Sequence, residues 1–371
     1  MVREFTLMLA TAMVLLGRGE PHKLPERPAH KQIVADTGGA FGHLVLHFDP
    51  QAEAEVAATY RDLLRSVQPT VRFSVVVAEL SHFERFRRLL STWHIRHKSR
   101  FRPVVVGRDI TTWSRDRYTL LTEGKKTILL VQPEPHRAIR ARQNDWYAPF
   151  ALARSLGPDV EVLIAPVTFD GGDLTATDRH VFATGLLLGR NAANEFGEPA
   201  RMSTWLRRMT GRVPVIIGRR SADVPPHHVG MFVTPLGHGT VLVGDVATGL
   251  RLLPHNAPLP LPVDRQKSTW KRFSFVAREL ERAGFRVVRI PLVPLIDGLT
   301  YVTYNNAVLE RRADGRLHAY VPQFGLAALD AAGRAAYEAQ GAIVHPINVA
   351  KIYRHNGTVR CLVNVLSRLD R

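Results

Sequence analysis

Cys361 is the only cysteine among 371 residues. A thiol becomes a strong nucleophile once a nearby cation lowers its pKa, and Arg360 stands directly before it. His228, in the pair His227-His228, can move protons near neutral pH. Asp116, in Trp113-Ser-Arg-Asp116, and Asp170, in Phe169-Asp-Gly-Gly-Asp173, are carboxylates of the kind that hold a planar cation through paired N–H···O bonds. The guanidinium group is the biological cation that fits such a clamp. Its central carbon is a poor electrophile, and carboxylates that fix it beside a thiolate turn a hard bimolecular attack into an intramolecular one. Taken singly, each residue has a structural reading. Cys361 would be a small buried hydrophobe, the histidines a satisfied pair, Arg115–Asp116 an ion pair and Asp-Gly-Gly-Asp a turn.

The elements that would bring these residues together repeat. Helical patterns over 145–156, 199–210, 267–283 and 326–340 stop at Gly157, Gly211, Gly284 and Gly341, glycine being the usual residue where a helix ends in the left-handed conformation. Each stop leads into an apolar strand, at 160–165, 213–218, 285–290 and 342–344. Upstream, helical stretches at 51–67 and 81–93 alternate with β runs at 71–78 and 102–107. Stepping back from Gly157 by the same interval reaches the end of the 81–93 helix, so five units of about 60 residues fit the chain. A doubly wound α/β sheet would share this grammar. What separates the two is that a polar cluster follows every unit at the same phase. These clusters are Trp113–Asp116, Phe169–Asp173, His227–Phe232, Tyr301–Asn306 and Asn356–Cys361. One central site lined once per unit accounts for that phase.

In this combination the chain resembles the pentein superfamily, and within it the agmatine and arginine deiminases. WSRD (113–116) resembles their Trp-x-Arg-Asp. FDGGD (169–173) resembles Glu-Gly-Gly-Asn/Asp, with Asp170 for the glutamate. His228-Val-Gly-Met-Phe232 resembles His-x-Asp-Met-Phe. YVTYNN with Val321-Pro-Gln-Phe-Gly325 resembles the segment ending in Pro-x-Phe/Tyr-Gly. NGTVRC resembles the glycine-rich run that carries the nucleophile. The resemblance covers roughly residues 100–371. It implies an α/β fold, a five-bladed propeller of ββαβ repeats forming a single closed domain over 33–371. It also implies hydrolytic deimination of agmatine, arginine or peptidyl-arginine through an amidino-thioether on Cys361. In that scheme His228 moves the protons, and Asp116 and Asp170 grip guanidinium nitrogens. Trp113, Arg115 and Asp173 contribute to substrate binding, and no metal or organic cofactor takes part. Amidino transfer, or a catalytically lapsed pentein that binds a cationic ligand, are the alternatives.

Two positions depart from the pattern. Gly230 stands where the family carries an acid, so either the substrate differs from agmatine, or another carboxylate such as Asp173 or Asp245 substitutes, or activity has been lost. Arg360 stands where a histidine usually precedes the nucleophile. An aspartate at 230 is expected to restore the missing acid beside the imidazole, because strand alternation would put 228 and 230 on one face.

Composition sets the outer bounds. Apolar residues at 45% and charged ones at 22% are those of a globular protein and exclude a disordered or collagenous chain. One cysteine excludes an internal disulfide framework. Lys and Arg number 50 against 33 Asp and Glu, a net +17, which permits acidic partners. The densest basic runs, 94–102 and 136–142, carry no nucleic-acid motif, so no nucleic acid is expected. The partner is instead a small guanidino molecule or an arginine side chain. Residues 5–17 form an uncharged run behind Arg3, too short to span a membrane and suited to a signal peptide. A proline-rich linker follows to residue 32. The protein is therefore exported or cytoplasmic.

Overall fold

The computed structural model describes residues 30–135 and 142–369. The signal-peptide-like run and most of the linker, within 1–29, lie outside the described residues, as do 136–141 of the second basic run. Among the described residues no helix is long and apolar enough to cross a membrane.

Local sequence explains each helix and its stop. The clearest is Pro199–Thr210, with proline in its first turn, where the missing N–H costs nothing. It buries Met202, Trp205 and Leu206 on one face, the i, i+3, i+4 stripe of an amphipathic helix. It ends at Gly211, whose φ of 63° is left-handed. The other three predicted stops behave alike, with φ of 99° at Gly157, 86° at Gly284 and 78° at Gly341.

Five sheets result, each containing a hairpin followed by a helical crossover to a parallel strand. The first of these units has β5 (Thr119–Glu123), β6 (Lys126–Val131), α3 (Ala148–Leu156) and β7 (Val160–Ile164), with β1 (Gln32–Ile33) on its edge. The second has β8 (Thr175–Ala176), β9 (His180–Thr184), α4 (Gly185–Arg190), α5 (Pro199–Thr210) and β10 (Val213–Ile217). The third has β11 (Val233–Gly237), β12 (Thr240–Asp245), α6 (Val246–Leu252), α7 (Lys267–Arg282) and β13 (Arg286–Pro294), then β14 (Tyr301–Thr303). The fourth has β15 (Val308–Arg311), β16 (Leu317–Gln323), α8 (Ala327–Glu338) and β17 (Ile343–Asn348).

The fifth unit corrects the sequence expectation. Its hairpin pairs strands from opposite ends of the chain, β18 (Val363–Leu369) with β2 (Ala40–His47), and Val363 faces Leu46. The crossover is α1 (Glu53–Ser66) and the parallel strand β3 (Arg72–Val77). The stretch placed in phase with the other units, near residue 100, is instead an outer addition. There α2 (Leu80–Thr92) leads to β4 (Phe101–Val105), which pairs parallel with β3. Counting back along the chain cannot find a unit whose two halves lie at its two ends.

The polar clusters all occupy one place in this scheme. Each lies within a few residues of the first strand of a hairpin: Asp116 before β5, Asp170 and Asp173 before β8, His228 before β11, Asn305-Asn306 before β15 and Cys361 before β18. Equivalent ends of equivalent strands point to one region, so the repeat itself gathers these side chains.

Candidate active site

The strand entrances are short helical turns: Ser114–Arg117, Gly171–Asp173, Val229–Met231 and α9 (Val359–Leu362). His228 sits at their meeting point, 8% exposed. Its Nε2–H donates to Asp170 Oδ2 at 3.1 Å, with Asp173 Oδ1 4.0 Å away. Its Nδ1 lies 3.5 Å from Asp116 Oδ1. Burial would lower the imidazole's pKa, but Asp116, the bond to Asp170 and the charges of Asp173 and Asp170 outweigh it and raise it above the ordinary value. Burial would raise Asp170, yet the His228 bond and the charge of Arg190 hold it well below the usual carboxylate range. At Asp173 burial prevails and the carboxyl is raised.

Three of the expected residues, Asp116, Asp170 and His228, are thus in direct contact, with Asp173 beside them. Cys361 stands in the adjoining wall, 5% exposed, its Sγ 3.4 Å from Asn306 Oδ1 and 4.0 Å from Met231 Sδ. Trp113 lies against Gly357, where an added Cβ would come within 2.5 Å of the indole and 3.1 Å of Cys361 Cβ. Trp113 therefore flanks the thiol. Arg115 does not face the cluster: its guanidinium is engaged by Leu174 O at 3.1 Å, by Asn364 Oδ1 at 3.5 Å and by Asp36 at 3.8 Å. Asp245 caps α6 through Thr248 and pairs with Arg289 at 3.0 Å, so it does not replace the missing acid.

Sequence reasoning missed two arginines. Arg142 Nη1 donates to Asp116 Oδ2 at 3.1 Å, with its guanidinium carbon 5.9 Å from the centre of the Trp113 ring. Arg190, at the end of α4, bonds Asp170 Oδ2 at 2.9 Å and lies 3.5 Å from Asp173 Oδ2. Each acid thus has one oxygen occupied by the chain's own guanidinium. The other oxygens, Asp116 Oδ1 and Asp170 Oδ1, are buried and find no hydrogen-bond donor among the described residues. Asp170, Asp173 and His228 also bring ligand atoms within 4.8 Å of one another, the spacing of a metal set. Arg190 already supplies the cation there, so the set works as a clamp on the imidazole.

Gly172 is the packing constraint that holds the ring. A Cβ there would lie 2.5 Å from His228 Nδ1 and 3.0 Å from Asp116 Oδ1. Gly172→Ala should cost about 1–3 kcal/mol, as overpacking does, and shift the His228 imidazole resonances. An unchanged unfolding midpoint together with an unchanged spectrum would show that the turn yields instead.

No protein-family model and no curated protein sequence matches the chain. Solved structures do. A C. jejuni agmatine deiminase with substrate bound superposes with a TM-score of 0.68 at 13% identity, over 94% of this chain and 100% of that one. An agmatine deiminase of Enterococcus faecalis gives 0.63 at 12% identity, over 91% and 96%. A dimethylarginine dimethylaminohydrolase (DDAH) from Pseudomonas aeruginosa, complexed with citrulline, gives 0.50 at 12% identity, over 88% and 99%. The fold is that of the penteins.

The chain departs from the motif pattern it resembles at positions 230 and 360, and the structure joins those two departures into one. Residues 229–231 form a helical turn, not a strand, so the alternation argument for position 230 does not hold. A Cβ on Gly230 would meet Arg360 Nη1 at 2.9 Å. A carboxylate placed there would thus meet Arg360 before any imidazole. Arg360 in turn faces Asp36, at 3.0 and 3.1 Å, and Leu174 O. Gly230 leaves the room that the arginine fills. This also corrects the expectation that Arg360 activates the thiol. Burial and the negative Asp116 push Cys361 up to about 11, and the lowering by Arg360 is smaller.

Proposed function

We propose that the protein is a cysteine-dependent hydrolase of guanidino compounds, built as a single closed five-bladed propeller over residues 33–371. The observation that carries this reading is a pair of buried oxygens around His228, Asp116 Oδ1 and Asp170 Oδ1, that find no hydrogen-bond donor among the described residues. They are acceptors suited to guanidinium N–H groups, in the wall next to the sole cysteine. The thiol by itself is neutral. A guanidinium carbon held against it brings the cation that favours the thiolate.

The thiol proton passes to solvent, and the thiolate sulfur adds to the guanidinium carbon as one C=N π bond opens onto its nitrogen. His228, protonated between its carboxylates, gives its proton to the departing ammonia or amine. The same imidazole takes a proton from the water that cleaves the amidino-thioether, leaving a ureido product and the free thiol. Trp113 covers the reacting face. Arg142 competes with the incoming cation for Asp116 and has to move aside. Agmatine, free arginine and peptidyl-arginine all carry the required group.

Ammonia release from these three substrates tests the reading, and Cys361→Ser should abolish it. Arg142→Gln frees Asp116 and should lower KM roughly tenfold, the worth of one charge-assisted hydrogen bond. A specific observation favours a second reading, a pentein that binds guanidino ligands without turning them over: the thiol is pushed up to about 11 and position 230 has no acid. A wild type that releases no ammonia, yet is stabilised against heat by agmatine, would decide for the binder. Transfer of the amidino group to an added amine, with no ureido product, would decide for a transferase.

A further inference from the structure

The strand entrances hold the candidate site. The opposite ends of the same strands hold something else. The hairpin turns at 177–179, 237–239 and 312–316 lie four to five residues beyond the entrances along β11 and β15. At ~3.3 Å per residue, that is roughly 15 Å from the site. Around these turns lie cavities of about 530, 500 and 350 Å³, and all three are lined by Arg311 and His238. Volumes of this order suit a small ligand.

The lining charge is one-sided. Arg179 and His180 join the first cavity, and Arg286 and Arg316 the third. Asp178 is the one carboxylate among their described lining residues. Some arginines elsewhere are matched, such as Arg85 with Glu53 and Arg289 with Asp245, and others, such as Arg72 and Arg154, are not matched among the described residues; what sets this basin apart is that its arginines converge on shared cavities. Arg179, Arg286, Arg311 and Arg316 make no ion pair among the described residues. Arg311 donates to the carbonyl of Gly315, and Arg286 to Thr240 and Gln340, so both side chains are held in place by neutral groups while their charge stays unanswered. Arg312, which lines the second cavity, is neutralised by buried Glu310 at 2.8 Å. His238 has φ of 49°, between Gly237 at 85° and Gly239 at 73°. A non-glycine residue rarely adopts that region, and here it sets the imidazole at the lip shared by all three cavities.

We propose that this basin, opposite the candidate site, binds a small multivalent oxyanion of the oligophosphate class, with Arg179 and Arg311 as its principal ligands. Planar guanidinium forks match phosphate oxygens two at a time, and converging unpaired arginines are stabilised by the anion that joins them. The inference rests on the hairpin turns and is independent of the proposed activity.

Titration calorimetry of the full-length protein with tripolyphosphate tests it. Saturable binding of one anion per chain is expected. Arg311→Gln and Arg179→Gln should each weaken it roughly 10- to 100-fold, the loss of a hydrogen bond to a charged group. Arg85→Gln, on another face, should leave it unchanged. Thermal midpoints equal to wild type show that the variants are folded; should Arg311→Gln unfold, Arg286→Gln takes its place. Comparison with ATP separates the sources of the phosphates. Equal affinity assigns the site to the phosphates alone, and tighter binding of ATP assigns it to a nucleotide. No binding at millimolar tripolyphosphate, or binding indifferent to these arginines, would overturn the proposal. So would capture of single-stranded nucleic acid that tripolyphosphate cannot displace.

Discussion

Lowering the pH from 7 to 4 is expected to unfold the protein. Four histidines held neutral in the fold drive this: His43 and His345, each lowered to about 4 chiefly by burial, and two that are lowered further. His47, 1% exposed, bonds the carbonyl of Thr111 through Nδ1 at 3.1 Å; burial and the neighbouring Arg117 depress it to about 3. His227 is depressed to about 3 by burial and by the charge on His228. Its tautomer is imposed from both sides, because Nδ1 accepts the His228 N–H at 2.7 Å and Nε2–H donates to Asn356 O at 2.8 Å. A second proton has no acceptor. In the unfolded chain all four rings titrate near the ordinary value of about 6.5.

Between that value and about 4 the unfolded state therefore binds about four more protons, and stability falls as pH falls. Four protons at ~1.4 kcal/mol each per unit give a slope of roughly 5 kcal/mol per pH unit. His228 does not offset it. Its raised pKa contributes stability that is fully present below about 6.5 and lost only as pH rises through its folded value. A domain of ~5–15 kcal/mol exhausts its stability within a few units. Urea midpoints across pH read this directly, and His47→Gln should lower the slope by roughly a quarter. Stability that stays flat from pH 7 to 4 would refute the assignment of these rings as neutral.

Removing Asp145 should be the most damaging single change in the same region. This carboxylate is fully buried and accepts Thr111 N–H at 2.7 Å and Thr111 Oγ1–H at 2.6 Å. Arg117 Nη2 lies 2.9 Å from it, and the Arg117 side chain is 3% exposed. The arginine belongs to the turn that carries Asp116 and donates through Nε to Trp113 O at 2.9 Å. Asp145→Ala leaves a buried guanidinium without its counter-charge, a loss of about 3–5 kcal/mol. It also loosens Thr111, whose carbonyl holds His47. Arg85→Gln, which breaks an exposed pair with Glu53, should cost less than about 1 kcal/mol. Denaturant midpoints with unchanged slope would compare the two. Equal, small losses would show that Arg117 finds another partner.

What could be read in the amino-acid order is what depends on near neighbours. Helix faces, the four glycine stops and the starts of the strands after them follow from spacing and from glycine's tolerance of positive φ; α3 begins three residues later than expected, and β13 and β17 each run four residues further. The common phase of the polar clusters was legible for the same reason, since a repeat carries its geometry in its period. Tertiary structure alone decided the rest, because the deciding contacts join distant parts of the chain. Leu46 meets Val363 to complete the fifth unit. Arg142 and Arg190 take one oxygen each of Asp116 and Asp170, and no spacing rule names those partners. Gly230 and Arg360 looked like two separate departures and are one exchange of volume. The pKa of Cys361 followed neither its sequence neighbour Arg360 nor its uniqueness. It followed burial and Asp116, because ionisation depends on the dielectric and on charges near in space, and both are set only when the chain has folded.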